Sequence, residues 1–462
     1  MKTSIALRYQ IPTMVNEKNN KKTPDLLESK GPGEMNKLIC KIVLFPFIVF
    51  FSYHLSYGVT AWVEAGPRMA FDPMNNQYLV SYWVFDYVSI MNTVYGRLMN
   101  VDGTRKGNLF RISEGYDFAR RPAVSYGESH HTMLVVWDEN TNIYGQFVNA
   151  DGTLKGENFV ISDSNELQSN ASIKYNNFSQ YFLVVWEDYR NNAITGYDIH
   201  GQLINDSGTL IGSDLIISDA TKQQDDPVIT YGKSSHIFFI VWTDARNDGI
   251  TGTDIYGQFV NADGTLNGDN FIVCDALGDQ NQPAIVYNDS DQTFLVVWLD
   301  NRNEAARGSD IYGQIVEDGG VLNGENIIIN TSDSDKEALS IDYDAFNKVL
   351  FLVWTQKDDS DHSLIFGQFL NNDGSQKGKS FAVTYNHSLM PFVASNPHSG
   401  NFLVAYSGSN EWSPNISTIS YEFIKVPDNN SGDKHDSGCF VTACRKPKCW
   451  LDFLICSIHS KE

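Results

Sequence analysis

Three short stretches of this sequence carry the residue types that could do chemistry, and they carry them at the same spacing. Asp188 is followed two residues later by Arg190, Asp244 by Arg246, and Asp300 by Arg302. A further aspartate follows each pair, at Asp198, Asp254 and Asp310. Residues two apart on a strand share a face, and a guanidinium is built to hold a carboxylate through two parallel hydrogen bonds. Two uses follow. The arginines could be clips that tie the two ends of a loop to one another. Alternatively, Arg190, Arg246 and Arg302, with Asp188, Asp244 and Asp300, could form a ligand-binding sector in which three guanidinium groups converge on an anion. Aspartate recurs at both ends of every loop, whereas a site needs each group only once, so clips are the expectation.

Other candidates are weaker. The acidic stretches 288–291, 333–335 and 358–361 offer oxygen at alternating positions, as calcium loops do, but none has the closing bidentate glutamate. No cofactor is expected, with calcium as the alternative. Cys439, Cys444, Cys449 and Cys456 crowd the C-terminus beside His435 and His459. Zinc sites usually pair ligands two to four residues apart, so the wider spacing here favours disulfides. No nucleophile elbow, His-Glu-x-x-His or phosphate loop is present. Asp-Gly-Thr turns look superficially like the aspartate boxes of sialidases but lack the residue between Asp and Gly and the closing aromatic. The 56 acidic residues single out no carboxylate pair for glycoside hydrolysis. Catalytic residues cannot be named, and the reading leans away from an enzyme.

The elements that position the Asp-Arg pairs are repeats. Phe294-Leu295-Val296-Val297-Trp298 recurs in variants ending at Trp137, Trp186, Trp242 and Trp354, with fainter copies at Trp83 and Tyr406. Successive copies stand 54, 49, 56, 56, 56 and 52 residues apart. Each unit reads as four strands. An alternating strand follows a proline, as at 227–231. The Phe-Leu-Val-Val-Trp run is apolar on both faces and so buried on both. A third strand has the form Asp254-Ile255-Tyr256-Gly257-Gln258, and a short aliphatic fourth lies at 158–162, 214–218, 270–274 and 326–330. Strands three and four are joined by Asn149-Ala150-Asp151-Gly152-Thr153 and its copies, where Asp-Gly is expected to supply positive φ. The tryptophans, closing an apolar strand, are expected to pack between units and not to form a stacking platform.

These units predict an all-β chain: a single β-propeller of about seven four-stranded blades, with six or eight blades or tandem small β-sandwiches as alternatives. The strand-two to strand-three loop shares a propeller face with the links between blades, and that face is the expected place for any binding site. Blade seven lacks an obvious fourth strand. The N-terminal segment 59–62 is expected to complete it and close the ring, with 440–443 as the alternative.

The repeat resembles that of exported bacterial proteins predicted to be β-propellers. The residues that carry the resemblance are Trp242-Thr243-Asp244-Ala245-Arg246-Asn247 with Asp254-Ile255-Tyr256-Gly257-Gln258, and their copies at 186–202 and 298–314. The resemblance spans about residues 62–426 and implies a fold and export, with little about function. Gly438-Cys439-Phe440-Val441-Thr442-Ala443 also resembles the start of a Cys-Phe-Ile-Ala-Thr-Ala segment at the C-terminus of exported bacterial proteins; residues 444–462 depart from it.

Domain organisation follows. Residues 1–34 are polar and aperiodic and read as a disordered extension. Residues 35–58, with Lys37, Lys41 and an apolar run at 42–53, read as a signal peptide opening at Met35, or as an anchor if uncleaved. Residues 59–426 are the propeller, and 427–462 a cysteine-rich, mostly disordered tail. A formal net charge of −22 speaks against nucleic acid and anionic lipid. The expected setting is secreted or cell-surface, as a monomer meeting a protein or glycan partner. Contact with a membrane is expected only through the N-terminal segment. The function this predicts is an exported binding or structural propeller without catalysis; the alternative is a carbohydrate-active or other hydrolytic propeller.

Overall fold

A computed structural model describes residues 62–427, except 87–88, 116–117, 304–307, 332–333, 359–361 and 411–412, together with residues 441–442. The extension, the apolar run, Cys40 and the four tail cysteines lie outside the described residues.

Seven antiparallel sheets of four strands follow one another along the chain, at 62–111, 119–162, 168–218, 224–274, 280–330, 336–382 and 388–442. They are numbered blades one to seven below. Within each sheet the strands pair in sequence order. The first strands touch one another all the way round, and that of blade seven meets that of blade one. The molecule is a seven-bladed β-propeller with first strands innermost.

The hydrophobic pattern explains the stacking. In blade four the second strand, Ile237–Asp244, is buried at every residue. Trp242 packs backward on Leu183, Val185 and Ile199 of blade three, while Phe239 and Val241 pack forward on Phe294 and Val296 of blade five. An apolar two-faced strand therefore serves two interfaces at once, and each blade supplies half the core of its neighbours. Five tryptophans, Trp137, Trp186, Trp242, Trp298 and Trp354, are fully buried in this way.

The Tyr-Gly-Gln motif of strand three has a structural use. Gln258 Nε2 donates to the carbonyls of Phe259, Asn267 and Gly268, while its Oε1 accepts from Asn270. Asn270 then donates to the Ile217 carbonyl of blade three, riveting the outer strands together.

Three expectations need correction. The first strand begins at Trp62 and runs to Asp72 as the inner strand of blade one, while residues 59–61 lie outside the described set. Blade seven is completed instead by Val441–Thr442, which pair with Ile424 and Phe423. The strand-one position of Trp62 is set by the bulge at Ala65/Arg68, which aligns this segment with the inner strands of the other blades. Second, in the strand-three to strand-four turn only the glycine is left-handed, Gly152 at φ 85°. Asp151 instead accepts hydrogen bonds from the Thr153 amide and hydroxyl, so its side chain, not its backbone, shapes the turn. The third correction concerns the Asp-Arg pairs.

Candidate functional site

Strand two and strand three of blades three, four and five end in register, with Asp188 opposite Asp198, Asp244 opposite Asp254 and Asp300 opposite Asp310. Each first aspartate is fully buried and collects several donors. Asp244 accepts from Trp242 Nε1 at 2.8 Å, from the Arg246 amide at 2.9 Å, and from Arg246 Nε and Nη2 at 2.9 and 2.7 Å. Asp188 and Asp300 repeat the arrangement with Trp186 and Arg190, and with Trp298 and Arg302. Burial by itself would raise the pKa of Asp188, but hydrogen bonds from Arg190, Trp186 and Gln168 outweigh it and bring it down to about 2.

The expected bridge from Arg to the far aspartate does not form. Asn191, Asn247 and Asn303 hold Asp198, Asp254 and Asp310 instead, at 3.0, 2.9 and 3.1 Å. The arginine amide caps its own aspartate, and this folds the guanidinium back on that same carboxylate. The next residue, the asparagine, is left to reach across. Each arginine spends its remaining donors on the outer strands. Arg190 meets Asp214 at 2.7 Å, Arg246 reaches Ser218 of the preceding blade and Asn270, and Arg302 reaches Cys274 of the preceding blade and Asn326. Arg246 and Arg302 also lie over the Tyr256 and Tyr312 rings at 4.0 Å. Every guanidinium is thus held within its own blade and its neighbours, on its own carboxylate. The loops so anchored carry apolar residues outward: Ile194 is 81% and Ile250 80% exposed.

A second constellation lies at the mouth of the propeller axis on this same face, and the sequence reading missed it. Each inner strand has a bulge near its start, and the bulged residue is left-handed in all seven blades: Gly66, Arg121, Asn170, Asp226, Gln282, Ala338 and Met390. Six of the seven are not glycine, an uncommon backbone choice that recurs around the whole rim. Rim residues of blades two to five are polar, and those of blades six, seven and one are Ala338, Met390 and Gly66.

Beneath the polar arc sit four carboxyl groups. Asp138 pairs with Arg120 at 3.1 Å. Glu187 accepts from the Ser169 hydroxyl, the Asn170 side chain and the Asp226 amide, at 3.0, 3.0 and 2.8 Å. Asp226 accepts from the other hydrogen of the same Asn170 amide group, at 2.9 Å. The half-buried side chain of Asp225 makes no hydrogen bond or ion pair among the described residues. Burial raises the pKa of all four. For Asp225, burial and then Glu187, Asp226 and Asp244 push it up to about 7. A signal was legible. The residue after the strand-two tryptophan sits in a wholly buried strand, yet it is Asp138 in blade two and Glu187 in blade three, where blades four to six have Thr243, Leu299 and Thr355.

Asn288 in the first acidic stretch accepts from the Ser290 and Asp291 amides, as a turn cap does. Residues 333 and 359–361 lie outside the described set. Among the described residues no three His, Cys, Asp or Glu side chains are grouped to hold a metal ion.

No family model matches the sequence, and no curated protein matches it. Solved structures are similar to it in chain path. One is a protein of unknown function from Dyadobacter fermentans, at 10% identity and TM-score 0.49, covering 79% of this chain and 96% of that one. Another is the β-propeller domain of the trilobed protease of Pyrococcus furiosus, at 10% identity and TM-score 0.48, covering 80% and 97%. A third is an α-L-arabinofuranosidase of Fusarium graminearum in complex with arabinobiose, at 12% identity and TM-score 0.45, covering 78% and 93%.

Proposed function

We propose that this chain is an exported, non-catalytic binding propeller that offers the face bearing the long loops of blades three to five to a protein or glycan partner. The observation that carries this reading is the bracing of the loops. A buried carboxylate, an arginine fork, a tryptophan N–H and an asparagine fix both ends of each loop. Ile194 and Ile250 are held out in water at the tips of two of them. Apolar side chains preorganised on a rigid base bind at little ordering cost, which is a reason to pay their exposure. Glu187, the best-placed carboxylate of the axis mouth, is taken up by three donors that hold the bulges, which speaks for a brace over a catalyst. Export is part of the same reading, supported by the two lysines and the apolar run at 42–53.

A hydrolytic reading has one observation in its favour. The pKa of Asp225 is pushed up to about 7, and the residue stands beside Glu187 and Asp226, as a general acid would. One experiment separates the two. The purified chain is run through gels containing neutral, acidic and amino polysaccharides, with release of reducing ends measured in parallel. Retardation without release, lost on joint Ile194→Ser and Ile250→Ser substitution, is the expected result. Release of reducing ends that disappears in Asp225→Asn would establish hydrolysis instead.

A further inference from the structure

Blades two, three and four carry successive polar copies of one cross-strand pair at the axis mouth, and of these three only that of blade four is left without partners; blade six repeats its residue types with an exposed carboxylate, Glu337 opposite Thr355. The first-strand residue before the bulge stands opposite the second-strand residue after the tryptophan: Arg120 with Asp138, Ser169 with Glu187, Asp225 with Thr243. In blade two the pair is an ion pair, in blade three a hydroxyl on a carboxylate. In blade four both members are acceptor-rich and neither meets the other. Thr243 is 6% exposed, and its hydroxyl has no hydrogen-bond partner among the described residues.

The direction in which this pair looks follows from the packing. Trp242 faces blade three, so Thr243, the next residue on the strand, faces blade five, and Asp225 opposite it does the same. The corresponding step in blade three sends the Glu187 carboxylate to the Asp226 amide of blade four. At that place between blades four and five stands the shorter Thr243.

Charge completes the picture. Glu187, Asp226 and Asp244 act on Asp225, whereas Arg121 bears on Asp138, Glu187 and Asp226. Blade five contributes Asn281 and Gln282, which are uncharged, at the matching positions of its first strand. The field at this point is therefore negative, and the net charge of −22 draws cations toward the molecule from a distance.

We propose that the seam between blades four and five at the axis mouth binds a primary ammonium group, with Asp225 and Thr243 as its acceptors. The proposal rests on the binding-face reading and names the chemistry of its ligand. An ammonium offers three donors on one compact charge. One can serve the Asp225 carboxylate and another the Thr243 hydroxyl, and no cage of three carboxylates is required. Amino sugars and lysine side chains both present this group.

The test uses the full chain with two pairs of probes: a glucosamine tetramer against its N-acetylated form, and a trilysine peptide against its Nε-acetylated form. Calorimetry, near pH 8 for the lysine pair and near pH 7 for the glucosamine pair, whose amines lose their charge above that, is expected to show the free amine of at least one pair binding about ten-fold or more tighter than its acetylated form, and Asp225→Asn should remove about the same factor. Which pair responds identifies the source. Thr243→Val should weaken the same probe. Near pH 5.5 binding of the lysine probe should fall, because Asp225 is protonated while the lysine ammonium stays charged throughout; a purely structural aspartate would not produce that profile. Equal binding of free and acetylated forms, binding unchanged in Asp225→Asn, or no binding of either amine at millimolar concentration overturns the proposal. Binding lost in the Ile194/Ile250 double variant but kept in Asp225→Asn would overturn the ammonium site and leave the binding face standing.

Discussion

The braced loops and the axis mouth are built from the same residue types on the same face, and they differ in how fully those residues are satisfied. At the base of the blade-four loop, Asp244 receives an arginine fork, a backbone amide and an indole N–H, and its partner Asp254 receives Asn247. On the neighbouring first strand, opposite Thr243 and next to Gln224, which stands opposite Asp244, Asp225 receives no side-chain donor and stands among other carboxylates. A carboxylate surrounded by donors stiffens the fold. One left without them costs stability, and in a protein that has many solutions available such a cost marks a place where binding is the gain.

The largest way to break this comparison is at the satisfied end. Asp244→Ala strands the Arg246 guanidinium and the Trp242 N–H in a buried setting, and is expected to cost about 3–5 kcal/mol. Urea unfolding of the variant gives the value, and a loss near zero would mean the braces are ornamental. Arg246→Ala comes next, at roughly 1–3 kcal/mol, since the carboxylate keeps its indole donor and the arginine is partly in water. Added phosphate should leave that value unchanged; a phosphate-dependent difference would point to an anion site at the arginines.

Asp225→Asn is expected to act in the opposite direction. The folded carboxyl has its pKa pushed up to about 7, so the native state favours its protonated form. The stability it supplies is full below the unfolded value near 4 and is lost as pH rises through 7. The asparagine variant should therefore melt higher than the parent near pH 8 and alike near pH 4. Melting curves at both pH values test this, and equal melting at pH 8 would show that Asp225 is satisfied after all. The smallest effect belongs to the loop tips. Ile194→Ser and Ile250→Ser should each change stability by no more than about 0.5 kcal/mol, because both side chains already lie in water. A larger loss would mean they pack on something and are unavailable to a partner.

Legibility in the sequence differed between the same two regions. The Asp-Arg pairs were visible because they recur three times at fixed spacing, and local geometry suffices to put Arg246 on Asp244 two residues away. The role of Asn247 was not, since it depends on the helical turn at 247–251 that redirects the loop. The Asp225–Thr243 pair left only a faint mark, a polar residue where an apolar one was expected. Its meaning rests on what the next blade fails to provide.

The sequence by itself determined the repeat, the four strands of each unit, the doubly buried second strand and the seven-fold count, because these follow from period-two patterning and turn chemistry within about 55 residues of chain. Tertiary structure alone decided which strand completes blade seven, which residues ring the axis, and which carboxyl group is left without a donor. Each of these is set by contacts between blades. Asp226 and Glu187 are 39 residues apart in sequence and 2.8 Å apart at their hydrogen bond, and no local pattern records a neighbour supplied by ring closure.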